Sequence, residues 1–267
     1  LVNQMGTLDF HRRDLIRQHV NPGHPSGPMT YADLERLSKL GASDVQAVLS
    51  RRWRPDNSTL LIVGNVDATH ALEDVRTYFS GWAGKNSEPY TVGEITKPTP
   101  KSGQKVVVLD RPDVTQTEVW LSCPSHFNGY DIWPEHRVLA TALRNATTDV
   151  LRGKSGVVYS PSVRSESSLT GASVVFESKV QNSASGFALQ TYYDLLDQVE
   201  SGSFDESTFR YAQLEYSSGL VAAWQSQDQL QYTLRHFLGR GYTLDAFDTL
   251  EERLASIDTD SLQNTLG

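Results

Sequence analysis

The 267-residue sequence has very little of several features that mark particular classes of protein. Its single cysteine, Cys123, has no second cysteine with which to form an internal disulfide bond. No apolar run approaches the roughly 20 residues that a helix needs to cross a bilayer, so no membrane span is expected. Lys and Arg number 24 against 32 Asp and Glu, and this net charge of −8 argues against nucleic acid as a partner, because phosphate binding needs a basic surface.

The first residues of the sequence contain neither an initiator methionine nor a basic segment followed by an apolar one. They therefore do not form the pattern of a secretory signal peptide. The chain is expected to begin inside a longer gene product, and any targeting signal would belong to that longer product.

The histidines lack the spacing of a hydrolytic metal site. Two ligands on one helix must lie about one turn apart to face the same ion, and none of the seven histidines forms an HxxEH motif or its inverse. His11 comes nearest, but Leu15 occupies the position where a second histidine is needed. His19 and His24 flank a loop that is rich in helix-breaking residues. No metal site is therefore expected in this chain.

Motifs for nucleophilic catalysis and phosphate binding are also missing. Ser155 lies between Lys154 and Gly156, without the spacing of a nucleophile elbow. Cys123 precedes His126 by three positions, but the alternating pattern around it favours a half-buried structural thiol, and such thiols are usually inert. Phosphate-binding loops of the GxxxxGK[ST] and GxGxxG types do not occur. The chain alone is predicted to be non-catalytic.

The pattern that is present is that of an α+β protein. A helix is predicted to start near Thr30, another to be capped by Ser43 with Gln46 at the capping-box position, and another to start at Asp67. Further helices are predicted at 8–20, at 133–152 and as four segments between 184 and 266. Strands are predicted at 59–64, 105–110, 115–123 and as a pair, 156–165 with 169–180.

A change of composition between residues 83 and 103, with three Lys and three Pro, predicts a semi-extended linker. Residues 1–82 are then the C-terminal part of a first α/β domain, and residues 104–267 a second, nearly complete one. Residues 35–49 align without gaps with residues 252–266, which predicts an internal duplication, although helical periodicity alone would produce part of this match. The second copy stops before the equivalent of the strand predicted at 59–64, so it is expected to lack its last strand.

Five short motifs occur in the order found in the pitrilysin/insulinase family of zinc metallopeptidases, which the sequence resembles over nearly its whole length. They are the loop NPGHPSG (21–27), the helix end RPDN (54–57), the strand TLLIVGNVD (59–67), the entry DRPDVTQT (110–117) and the segment LRGKSGVVYS (151–160). The resemblance implies an antiparallel-rich sheet with helices packed on one face. It also implies that the chain is most like the zinc-less C-terminal half of such an enzyme.

In family members that match, an active half carries the zinc site, and a second half of the same fold has lost it. The two halves close around a peptide substrate, and an Arg and a Tyr of the last motif reach across to the active site. Carried over to this sequence, these residues are Arg152 and Tyr159, as substrate-binding residues. The resemblance thus implies no cofactor in this chain, zinc in a homologous partner half, and a peptide as substrate. The glycine-rich stretch that often precedes the motif is replaced here by residues 144–149.

The chemistry of Arg152 and Tyr159 is consistent with a substrate-binding role independently of the resemblance. Arg152 is predicted at the end of a helix, where a cation suits the negative end of the helix dipole. Tyr159 is predicted a few residues into a strand, after a turn at 154–156. A phenol donor can stabilise a developing oxyanion, and the planar fork of arginine can bind a carbonyl or carboxylate. The alternative is that both residues are structural, a half-buried strand tyrosine and a helix-end charge.

Two further hypotheses stay open. The same fold serves as a non-enzymatic scaffold, as in core-type subunits of respiratory complexes, and an unrelated α+β binding module would require all the motif matches to be coincidental. The excess of Arg over Lys, seventeen to seven, is typical of a GC-rich bacterial source. Since such enzymes are often associated with the envelope, the periplasm or cell envelope is favoured slightly over the cytoplasm.

Overall fold

A computed structural model of the chain describes residues 7, 10, 11, 15, 31–82, 105–110, 112–125, 133–168, 171–239 and 242–266. The chain forms two compact units, Leu1–Ile95 with Gln225–Arg235, and Thr96–Trp224 with His236–Gly267. The change of unit after Ile95 falls within the predicted linker 83–103. That linker and the loop at 21–27 lie outside the described residues, and the predicted domain boundaries stay a prediction.

The first unit contains helices α1 (Tyr31–Ser38), α2 (Ala42–Arg52) and α3 (Ala68–Phe79), with a 3₁₀ turn at Pro55–Asn57 between the last two. Asp67 caps α3 by accepting a hydrogen bond from the backbone N–H of His70, as predicted. The predicted cap of α2 is wrong. Because α2 begins at Ala42, the residue before it is Gly41, whose N–H donates to the carboxylate of Asp44 at 2.8 Å.

The apolar run at residues 59–64, predicted as a buried strand, is not one. Leu60 and Ile62 are 56% and 47% exposed, and no strand pairs with them in the described part of the chain. A strand is held by the ladder of hydrogen bonds to its neighbour. An apolar run can therefore match the strand pattern in the sequence and still form no strand. This is the case here, because no strand among the described residues supplies such a ladder.

The two aligned segments fold alike, each as two helices joined by a short turn. In the second unit they form α8 (Leu250–Ser256) and α9 (Thr259–Leu266), and the starts of α2 and α9 coincide in the alignment. Asp258, which aligns with Gly41, accepts a hydrogen bond from the N–H of Ser261 at 2.8 Å. Gly41 has no side chain to do the same. That the two units as a whole are copies of each other stays a prediction.

The second unit contains an antiparallel sheet of β1 (Gln116–Ser125), β2 (Ser162–Ser168) and β3 (Gly171–Gln181), in the order β1-β3-β2. Leu121 and Val163 lie on either side of Phe176, so alternate residues of the three strands line the same face. The predicted strand at 115–123 and the predicted strand pair are thus confirmed, apart from the start of β2.

The strand predicted at residues 105–110 is wrong. These residues form no strand, and Val106 and Val108 are 75% and 83% exposed. The run reads as a strand because it is short and β-branched, but none of the three strands of the described sheet pairs with it.

Helices pack against one face of this sheet, as the resemblance implied. These are α4 (Trp133–Thr148), α5 (Ser185–Glu200) and α9, while α6 (Glu206–Ala223) packs on α4. Further along, α7 (Gln227–Leu238) belongs to the first unit up to Arg235. Among the residues that the structure describes, five α-helices after residue 184 replace the four predicted. No helix among the described residues is both long and apolar enough to cross a membrane.

The core of the second unit lies between these helices and the sheet. Its fully buried large side chains come from β3, α4, α5, α6 and α9: Phe176, Leu139, Leu143, Tyr192, Phe209 and Leu262. The other face of the sheet carries ion pairs, including Arg164 with Glu177 at 2.9 Å and Lys179 with Glu118 at 2.9 Å. One apolar and one charged face are typical of a sheet covered on one side, and the predicted α+β class is confirmed.

Candidate functional site

Two buried aliphatic residues anchor the segment that contains the predicted pair. Leu151, which follows α4, is fully buried, and Val158 is 4% exposed. Both belong to the core of the second unit. Arg152 and Tyr159 directly follow these anchors, and both are exposed. The core therefore determines where the chain carries each of the two predicted substrate-binding side chains.

After Thr148 the chain continues α4 as a π-helical segment, Asp149–Lys154, which contains the first anchor, Leu151. The N–H of Ser155 donates to the carbonyl of Val150, five residues earlier, at 3.1 Å. The carbonyl of Leu151 then accepts from the N–H groups of Val157 and Val158 at 2.9 and 3.2 Å. Short π-helical segments are rare and occur frequently at functional sites.

Gly156 allows the chain to reverse at this point. Its φ of +65° lies in the left-handed region, which residues other than glycine rarely adopt. Lys154, just before the reversal, forms an ion pair with Asp149 at 2.7 Å across the π-helical turn. The turn at 154–156 that the sequence predicted is thus present, and it returns the chain alongside its own helix end.

The structure brings Arg152 and Tyr159 together. The guanidinium carbon of Arg152 lies 5.5 Å from the centre of the Tyr159 ring, within the range of a cation–π interaction. Tyr159 is 86% exposed, so its ring contacts Arg152 on the surface of the unit. The phenol O–H is at the rim of the ring, away from the face that a cation occupies. This arrangement presents two different hydrogen-bond donors side by side.

The prediction that Tyr159 lies within a strand is wrong. It lies in the loop between Gly156 and Ser162, where β2 begins. The N–H groups of Val157 and Val158 are used by the Leu151 carbonyl, and Pro161 has no N–H to donate to a ladder. These residues therefore cannot extend β2 towards Gly156, which leaves Tyr159 out of the sheet.

The stretch that replaces the usual glycine-rich segment is helical and fastens α4 to α6. Arg144 and Asn145 donate to the two carboxylate oxygens of Glu215 at 2.5 and 3.0 Å. Partial burial works to raise the pKa of Glu215, but the hydrogen bonds from Asn145 and Arg144 outweigh it and lower the pKa below its usual range. This substitution thus replaces local backbone freedom with a fixed contact just before the segment that contains Arg152 and Tyr159.

Two partly or fully buried groups elsewhere in the unit, Cys123 and His136, are chemically unreactive near neutral pH. Burial raises the pKa of the Cys123 thiol to about 12, with the charge of Glu200 adding to the effect, so the thiol is protonated near neutral pH and a poor nucleophile. Burial, with a smaller contribution from Arg137, lowers the pKa of His136 to about 4. In the described part of the chain no group of three or more His, Cys, Asp or Glu side chains is arranged to hold a metal ion.

Sequence reasoning missed the role of Ser155, whose hydroxyl lies 2.8 Å from the Val150 carbonyl oxygen. It also missed the ion pair between Asp149 and Lys154. The only signal in the sequence was the order Lys-Ser-Gly after a helix, which marks a helix end but does not distinguish a π-helical turn from an ordinary one.

Known structures share this fold. A protease from Helicobacter pylori superposes with a TM-score of 0.73 at 14% identity, over 87% of this chain and 57% of that one. A peptidase M16 inactive domain from Pseudomonas fluorescens gives 0.72 at 13% identity, over 94% and 60%. A chain of Complex III2 from Candida albicans gives 0.70 at 12%, over 98% and 64%. At such identities the likeness concerns the fold alone, and the chain spans less than two thirds of each structure.

No curated protein sequence matches the chain. The model of one protein family does match it, from residue 39 to residue 216, which is more than half of the chain and includes the segment 151–160. The description of that family is "Peptidase M16 inactive domain". In agreement with the resemblance to the pitrilysin/insulinase type, the chain belongs to the family of peptidase M16 inactive domains.

Proposed function

We propose that this chain is the substrate-binding, non-catalytic half of a zinc-dependent endopeptidase of the pitrilysin type. In this proposal it completes an active site whose zinc is held by a homologous half, in the same polypeptide or in a partner subunit. The observation that carries the proposal is the contact between Arg152 and Tyr159, two exposed side chains held side by side by buried anchors. The family to which the chain belongs supports the inactive half.

Both side chains of the pair can donate hydrogen bonds to the backbone of a peptide that is being cleaved. The guanidinium of Arg152 offers several donors in a fixed plane, which match a carbonyl or a terminal carboxylate. The phenol of Tyr159 offers a single donor for the oxygen that gains charge in the transition state. An edge strand of the described sheet, β1 or β2, would hold the rest of an extended peptide by strand addition. The substrate in this proposal is therefore an extended peptide.

In this proposal the zinc is held by the other half, and among the described residues no group of three or more His, Cys, Asp or Glu side chains is arranged to hold a metal ion. The metal would supply the activated water from the other half. The contribution of this chain is to bind and orient the peptide and to donate hydrogen bonds to it.

The test is the double variant Arg152→Ala/Tyr159→Phe, made in the complete enzyme with its zinc-bearing half. Losing one donor to a developing oxyanion typically costs on the order of 10²–10³ in rate, so we expect turnover of a quenched fluorescent peptide to fall at least that far. Arg51→Ala and Tyr78→Phe are matched controls, since both side chains are exposed on helices of the first unit. Unchanged turnover in the double variant would refute the proposed roles.

The alternative function is a non-enzymatic scaffold or core-type subunit. The likeness to a chain of Complex III2 supports it, since one chain of that complex shares the fold. The same double variant separates the two functions. A scaffold would keep its partners bound and would have no peptide turnover for the variant to lose.

For location we propose the bacterial periplasm or cell envelope, which cell fractionation with an antibody to the chain would test.

A further inference from the structure

Ser155 is the residue at which the π-helical segment closes. Its backbone N–H donates to the Val150 carbonyl at 3.1 Å, and its hydroxyl lies 2.8 Å from that oxygen. The hydroxyl is also 3.1 Å from the carbonyl oxygen of Leu151. A serine hydroxyl has one hydrogen to donate, which the two carbonyls share. Ser155 therefore contacts both of the backbone carbonyl groups that immediately precede Arg152.

The Leu151 carbonyl is also the point at which the returning chain is held. It accepts from the N–H groups of Val157 and Val158, and Val158 is the anchor of Tyr159. The hydroxyl of Ser155 thus contacts the same oxygen that fixes the other side of the turn. Arg152 is part of the hydrogen-bonded loop of chain that this hydroxyl closes, whereas Tyr159 follows that loop in the sequence.

We propose that Ser155 is a positioning residue for the Arg152–Tyr159 pair, and that its hydroxyl holds the π-helical turn in the shape that keeps the guanidinium against the ring. This inference rests on the proposed function of the pair. The hydroxyl of Ser155 contacts backbone carbonyl oxygens, so its role in this proposal is to position the pair and not to bind substrate. Its effect is preorganisation, because side chains held in the binding geometry lose less entropy when they bind.

The first experiment measures the geometry without any activity. In the full chain, the ring current of Tyr159 shifts the NMR signals of the Arg152 side chain. We expect Ser155→Ala to move these signals towards their positions in the Tyr159→Leu variant, and Ser155→Thr, which keeps a hydroxyl, to retain them. Ser201→Ala is the matched control, since the Ser201 hydroxyl donates to the Asp197 carbonyl at 2.7 Å beyond the end of α5. Unmoved signals in Ser155→Ala overturn the proposal.

The second experiment is a double-mutant cycle in the complete enzyme. A typical intramolecular hydrogen bond corresponds to about a 2- to 10-fold change in an equilibrium, and we expect Ser155→Ala to lower kcat/KM by that factor. In the Arg152→Ala background the same substitution should have no further effect, because Ser155 acts through Arg152. An equal loss in both backgrounds would show a merely structural role and overturn the proposal.

These results also separate this inference from the proposed function. If Arg152→Ala keeps the turnover of the unmodified enzyme, the proposed function fails, and a role for Ser155 in substrate binding fails with it. If Arg152→Ala is impaired while Ser155→Ala and Ser155→Thr both match the unmodified enzyme, the proposed function stands. The positioning role of Ser155 alone is then overturned.

Discussion

The guanidinium carbon of Arg152 lies 5.5 Å from the centre of the Tyr159 ring, although the two residues are on opposite sides of the reversal at Gly156. An exposed cation–π contact contributes only about 0.5–1 kcal/mol. Each residue follows a side chain that is buried in the core, Leu151 or Val158. The position of the pair is therefore determined mainly by the core, and the contact between the two side chains refines it.

The ring and the hydroxyl of Tyr159 are expected to contribute separately. Tyr159→Phe keeps a ring for Arg152 and loses only the donor, so in the complete enzyme kcat should fall by on the order of 10²–10³ with little change in KM. Tyr159→Leu also removes the partner of Arg152, and KM should then rise as well. Steady-state kinetics on one fluorescent peptide would measure both. A phenylalanine variant with normal kcat would contradict a donor role for the phenol.

Leu151 is expected to be a strong determinant of stability. It is fully buried, and truncating such a side chain to alanine costs about 2–5 kcal/mol in the free energy of unfolding. Leu151→Ala should lower the urea midpoint accordingly. Leu214→Ala is the control, because Leu214 is 67% exposed and its truncation should change the midpoint little. Equal midpoints for the two variants would show that Leu151 does not anchor this segment.

Two glycines are expected to respond to alanine with opposite signs. Gly156 has a φ of +65°, so Gly156→Ala should lower the free energy of unfolding by about 1–2 kcal/mol. Gly219 lies inside α6 with no atom within 4 Å of an added Cβ. Gly219→Ala should raise the free energy of unfolding by about 1 kcal/mol, because alanine is the better helix former. Thermal or urea unfolding would measure both, and a stabilised Gly156→Ala would contradict the reversal at this position.

Stability is expected to fall on mild acidification because of His136. Its side chain is fully buried, neither ring nitrogen has a hydrogen-bond partner in the described part of the chain, and its pKa is lowered from 6.5 to about 4. The unfolded chain therefore binds a proton near pH 6.5 that the folded chain binds only near pH 4. Between these pH values the free energy of unfolding should decrease by up to about 3 kcal/mol, and below them this contribution levels off.

His136→Phe should remove the pH dependence of stability that comes from His136. The difference between the two profiles of unfolding free energy between pH 7 and pH 4 separates this contribution from that of the carboxyl groups. His70→Phe is the control, since the side chain of His70 is 84% exposed. A profile for His136→Phe that is parallel to that of the unmodified chain would refute an uncharged, buried His136.

Much of the fold follows from sequence patterns because those patterns are local. The alternation in β1 and the cap at Asp67 each involve neighbouring residues, and both predictions are confirmed. The errors at 59–64 and 105–110 have one physical cause. Whether an apolar run forms a strand depends on a neighbour that supplies hydrogen bonds, and the run itself carries no information about that neighbour.

The same reasoning explains what was predictable at the candidate site. Arg152 and Tyr159 became candidates through the resemblance of the segment 151–160 to a family motif, and the turn between them was predicted from residues 154–156. Placing Tyr159 in a strand was wrong because the Leu151 carbonyl captures two N–H groups that a ladder would need. Such a capture depends on the π-helical turn, which has no sequence pattern of its own. The contact between the two side chains could be recognised only once the chain was seen to reverse.

The most direct test of the central claim measures cleavage of a quenched fluorescent peptide by three samples: this chain, its zinc-bearing half, and the two together. The account predicts that the chain alone is inactive with added zinc and that it raises the activity of the zinc-bearing half. The Arg152→Ala/Tyr159→Phe form should bind that half equally well without raising its activity. Zinc-dependent cleavage by this chain alone, or equal stimulation by the variant, would contradict the account.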